Sequence, residues 1–208
     1  MGSSQNQVDS ARGGLSVKDL VLIGVLGAVA FIICLVISML CGLSPVTNAF
    51  YPIIVAIPNG IVYMLMLAKV PKRGVFTISS IVYGLLLLLV GCFWFIPLCM
   101  VVAGVIADFA ILGKHPRDGR RMIAGYALTV VGQSFGYSGS IVLLRDTFNE
   151  VMIKNGIPDA YRESLNAIIS DPMLAVMVVL ALAAAVLGGL LGRKVLKKHF
   201  VRSGLVNA

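Results

Sequence analysis

Fourteen of the seventeen lysines and arginines fall into four short clusters that separate or flank long apolar runs. The clusters are Arg12/Lys18, Lys69/Lys72/Arg73, Lys114/Arg117/Arg120/Arg121 and Arg193/Lys194/Lys197/Lys198/Arg202. The apolar runs are about 20 residues long, the length a helix needs to cross a bilayer. Basic loops are retained on the cytoplasmic side. The alternation therefore predicts class, crossings and orientation together: an all-α integral membrane protein of six transmembrane helices, with both termini inside.

Composition supports the class. Of 208 residues, 59% are hydrophobic and only 12% charged, about half the share usual in a soluble domain. The mean hydropathy is +0.98, and a water-soluble fold could not hide that much apolar surface. The net charge of +8 is spread over separate loops rather than gathered in one stripe, which argues against nucleic acid and for contact with anionic membrane lipid. Cys34, Cys41, Cys92 and Cys99 lie within or at the ends of apolar runs with no CxxC pair, and read as small apolar residues. His115 and His199 stand among basic residues and form no metal cluster. No cofactor is expected, and the nucleotide motif GxxxxGK[ST] is absent.

The expected spans are 21–41, 51–68, 74–92, 96–113, 122–144 and 172–192, within a transmembrane domain of 17–202. Residues 1–16 are polar, lack the apolar core of a cleavable signal and are expected to be flexible; 203–208 form a cytoplasmic tail. Pro58 should kink the second span. Segment 145–171 is the longest hydrophilic stretch, with three basic and five acidic side chains. It is expected outside, over the mouth of the bundle. Phe148, Val151 and Met152, then Leu165, Ile168 and Ile169, are spaced as short amphipathic helices broken near Asn155-Gly156-Ile157-Pro158.

Polar groups enter the membrane in few places. On the fifth span Thr129, Gln133, Gly136, Tyr137 and Ser140 share a helix face, with Arg145 at the outer end. An amide, a phenol and a hydroxyl beside glycines suit a small polar ligand entering from outside, and Arg145 leaves room for an anionic group. The same groups could instead bond neighbouring helices. Asn48, Tyr51 and Asn59 could meet that pocket from the second span. Equally, Asn48 could cap the helix, Tyr51 anchor it at the interface and Asn59 satisfy a carbonyl freed by Pro58. Trp94 could stack on a flat ligand or anchor the chain at the interface. Gly24 and Ala28 form a small-xxx-small pair on the first span, for packing within the chain or for docking a partner. Asp108 is the only acidic residue deep in a span. Burial at mid-bilayer would cost about 2.5–3.5 kcal/mol on insertion scales, so a structural or coupling ion pair with Lys114 or Arg121 is favoured over a proton relay.

The plan resembles the substrate-binding S components of energy-coupling factor (ECF) transporters, most closely the Trep_Strep-type branch, over 17–202. The resemblance rests on Gly24 and Ala28 in a small-residue first span, on Ala103-Gly104-Val105-Ile106-Ala107-Asp108 followed by Gly113 and a basic loop, and on the long segment before the last span. It implies a subunit of a bacterial cytoplasmic membrane that captures a vitamin-like micronutrient from outside. It further implies docking to a membrane coupling (T) subunit driven by two cytoplasmic ATPases. Gly24 and Ala28 would be the docking surface, with Asp108 and the basic loop at the inner face. An autonomous small-solute carrier or channel is the alternative. A membrane-embedded enzyme would need clustered catalytic groups, and Asp108 stands alone.

Overall fold

In a computed structural model, residues 14–113 and 115–197 are described. Lys114, the first cluster's Arg12 and the expected tail lie outside them. All regular structure among the described residues is helical. The helices are α1 (Val17–Cys41), α2 (Pro45–Ala49), α3 (Tyr51–Lys69), α4 (Val75–Leu89), α5 (Phe95–Ile106), α6 (Gly119–Leu143), α7 (Arg145–Lys154), α8 (Asp159–Ile168) and α9 (Asp171–Val195). A π-helical segment, Ala107–Leu112, continues α5.

Six long elements form a ring in the order α1, α3, α9, α6, α5, α4, and α3 also meets α6 across the middle. α1 is peripheral. Ile23, Gly27, Ala30 and Cys34 face inward, while Val21, Val25, Val29, Ile32 and Val36 are exposed. Such an uncovered valine face is tolerable in lipid, not in water. α6 is the reverse: polar and glycine-rich, it buries Thr129, Gln133, Ser134, Ser138 and Ser140. It is covered by other helices over most of its length and so needs no apolar exterior.

By length and composition α1, α3, α5 with its π-helical continuation, and α9 are long and apolar enough to cross a membrane. α6 and α7, bent by 98° at their junction, make a fifth when taken as one broken span. α4 is apolar but has only 15 residues. Four to five crossings are thus supported where the sequence predicts six. The difference has two causes: the polarity of α6 and early termination of α4 at Gly91. α3 runs as one helix through Pro58.

The chain ends of the ring are tied differently. At one end Ser16 and Asp19 form a reciprocal capping box for α1, and Asp19 also pairs with Lys72 at 2.8 Å. Arg73 donates to the Gly113 carbonyl. At the other end α8 packs on α2, so segment 145–171 folds back across the bundle. α3 and α9 approach so closely that a Cβ built on Gly60 would lie 2.3 Å from the Gly188 carbonyl carbon.

Candidate functional site

A cavity of about 250 Å³ lies under that folded-back segment. Phe31, Cys34, Leu35 and Ser38 supply the α1 wall. Tyr51 comes from α3, Tyr137 from α6, and Gly91, Cys92 and Phe93 from the α4–α5 turn. Phe148, Val151, Met152, Asn155 and Ile157 form the roof. Two left-handed glycines shape the rim. Gly91 (φ 82°) and Gly156 (φ 74°) end α4 and α7. In each case the following residue donates back five positions: Cys92 to Leu87 and Ile157 to Met152, both at 3.0 Å. These are Schellman ends, which require a residue able to adopt positive φ. The two ends face each other, and Asn155 donates to the Gly91 carbonyl at 3.5 Å.

The roof is further held by Asn48, whose amide donates to the Tyr161 hydroxyl on α8 at 2.8 Å. Burial pushes that phenol above its ordinary pKa, so it accepts as a neutral hydroxyl at neutral pH. Phe93 meets Phe148 edge-on, with centroids 5.6 Å apart. Tyr51 meets Tyr137 the same way at 4.9 Å. Tyr137 is 5% exposed and its hydroxyl has no hydrogen-bond partner.

Deeper in the bundle is a second void of about 10 Å³, room for about one water at most. Its lining includes Asn59, Tyr63, Tyr83, Tyr126, Thr129 and Gln133. Asn59 Oδ1, Tyr83 OH and Gln133 Nε2 are buried without partners, and buried polar atoms normally find one. Tyr126 is satisfied by the Ala56 carbonyl, and Thr129 by the Tyr126 carbonyl at 2.7 Å.

The predicted ligand residues therefore divide. Tyr51 and Tyr137 line the larger cavity; Gln133 and Asn59 line the smaller void. Four others lie in neither lining. Asn48 pins the roof. Ser140 bonds back to the Gly136 carbonyl within its own helix. Trp94 is 51% exposed at the start of α5, against Phe93 and Phe95. Arg145 turns back onto the Ile141 carbonyl at 3.2 Å and closes the end of α6. The α1 wall was not anticipated, although Phe31, Cys34, Leu35 and Ser38 stand at helical spacing on one face.

The predicted docking residues divide too. A Cβ added at Gly24 would meet nothing within 4 Å, whereas Gly27 faces Val82. Gly24 and Ala28 are both half-buried, beside the fully buried Ile23, Gly27 and Ala30. Asp108 is fully buried and does not pair with Arg121; its other expected partner, Lys114, lies outside the described residues. Its carboxylate accepts from Phe76 N at 3.2 Å, and from Thr77 N and Thr77 Oγ1 at 2.7 Å each. It caps α4 from another helix, because the residue preceding α4, Gly74, has no side chain to do so. Arg121 instead lies 3.6 Å from Asp118.

Apolar helices long enough to cross a bilayer, valine and leucine faces without cover, and a polar centre sealed from the outside define an integral membrane protein. Residues 17–202 match the family described as hypothetical bacterial integral membrane protein (Trep_Strep), and the chain belongs to that family. No curated protein and no solved structure matches it.

Proposed function

We propose that the chain is the membrane-embedded capture subunit of an ATP-driven ECF-type importer. It crosses the bacterial cytoplasmic membrane six times, with both termini inside, and takes a small vitamin-like micronutrient into the 250 Å³ cavity. That cavity is the observation that supports the reading: it sits at the bundle end away from the basic clusters, under a roof built from the longest hydrophilic segment. Gly24 and Ala28 offer a low-relief surface for a coupling subunit, and a side chain added at Gly24 would point into open space. Energy would come from the partner's two ATPases.

The test is purification from the native host under mild detergent, with mass spectrometry of partners and bound small molecules. Recovery of a coupling subunit with two ATPases is expected. Transport by the chain reconstituted alone would refute the reading in favour of an autonomous carrier.

A further inference from the structure

The cavity is specific about charge. Its polar lining consists of hydroxyl, thiol and amide groups from Ser38, Cys34, Cys92, Asn155 and the two tyrosines, with no charged side chain. An ion placed there would lose its hydration and find no counter-charge, which is the costly case of burial. Lys154, next to Asn155 on the roof, is exposed and outside the lining, and Arg145 is committed to the end of α6. Phe31, Tyr51, Phe93, Tyr137 and Phe148 supply ring surface suited to a flat partner. Cations are also drawn to ring faces, yet here the rings meet edge to face in pairs: Tyr51 with Tyr137 at 88° and Phe93 with Phe148 at 87°.

Size narrows the ligand further. A dry cavity of about 150 Å³ holds benzene. In proportion, 250 Å³ holds about ten non-hydrogen atoms, a fused pair of rings. One of the lining's directional groups is buried without a partner. The Tyr137 hydroxyl is buried, lines the cavity and has no partner.

We infer that this cavity binds an uncharged, flat, largely apolar molecule the size of a fused bicycle, with one hydrogen-bonding group that meets the Tyr137 hydroxyl. The inference rests on the cavity being the capture site proposed above and names the class captured. A vitamin-like substrate of this class is bound in its neutral form, and Arg145 does not select for an anion.

A single ring system serves as the probe. Quinoline is neutral at pH 7.5 and its ring nitrogen can accept from Tyr137. Naphthalene has the same shape without the acceptor; N-methylquinolinium and quinoline-2-carboxylate add charge. Binding is measured by calorimetry and ligand-detected NMR on the full chain in lipid nanodiscs, with empty nanodiscs subtracted. Quinoline is expected to bind at least about tenfold more tightly than either charged analogue, the margin of one unpaired buried group. Tyr137→Phe is expected to weaken quinoline about fivefold, the loss of one neutral hydrogen bond, and to leave naphthalene unchanged. Val151→Trp, which fills the cavity from the roof, is expected to abolish both.

Three results overturn the inference: a charged analogue bound as tightly as quinoline, no saturable quinoline binding, or undiminished binding to Val151→Trp. None of them touches the capture-subunit reading, which stands or falls on the coupling subunit and ATPases. Should Tyr137→Phe fail to fold, the charge series and Val151→Trp still decide.

Discussion

Replacing Asp108 should loosen the start of α4 where it meets the π-helical continuation of α5, at the basic end of the bundle beside Arg73. Its carboxylate serves the Phe76 and Thr77 amides and the Thr77 hydroxyl, the first turn of a helix with no cap of its own. In Asp108→Ala both amides lose their acceptor, at about 1–3 kcal/mol for each buried donor left unpaired. The half-buried Thr77 hydroxyl can turn elsewhere. The expected loss is about 2–6 kcal/mol. Asp108→Asn keeps one oxygen and the side-chain shape. Its cost should be nearer the loss of a helix cap, about 1–2 kcal/mol. Equilibrium unfolding in bicelles against SDS fraction gives these differences. Hydrogen exchange at the two amides localises them, since their protection should fall before that of α6. Arg121→Ala is the control, because an ion pair would make it equivalent. The reasoning fails if Asp108→Ala unfolds like the native chain, or if Arg121→Ala costs as much.

Three further outcomes follow from the geometry. Gly60→Ala forces a methyl to within 2.3 Å of α9 backbone and should cost about 1–3 kcal/mol or more, whereas Gly24→Ala should leave the thermal midpoint unchanged. Gly24→Leu should preserve folding and probe binding but reduce recovery of the coupling subunit in pull-downs; equal loss of binding would argue against a docking role. Asn48→Ala removes the bond to Tyr161, about 1 kcal/mol, and should raise hydrogen exchange across α7 and α8 without lowering that of α6.

The helices were legible because their signals are local. Apolar length, basic punctuation and the Gly156 break are all read within a few residues. The polar face of α6 was also visible, but not that it serves two voids. Gln133 and Tyr137 are one turn apart, and only the placement of Tyr51 and Asn59 on α3 separates their surroundings. The amide contacts of Asp108 were hidden for the converse reason. Its natural partners by charge were arginine and lysine nearby, whereas the competing donors were backbone amides, which every residue but proline has and no pattern marks. The α1 wall was hidden because Phe31 and Leu35 look like any lipid-facing pair. Arg145 and Ser140 have the chemistry of ligand groups, and in the fold both are bonded to α6 carbonyls four residues back.

The polarity of α6 also bears on how the protein is made. A segment that leaves the ribosome with Thr129, Gln133, Ser134, Ser138 and Ser140 along it is a poor passenger for the lateral gate of a translocon, which sorts by partition into lipid. It needs company to enter: α3 and α5, already synthesised, cover two of its sides, and α9, made last, covers another. Ser134 reaches its acceptor, the Met177 carbonyl, only once α9 is in place. Insertion of this chain is therefore expected to be a cooperative, late-closing event, and a nascent chain stalled before Asp171 would be left with the polar face of α6 unsealed.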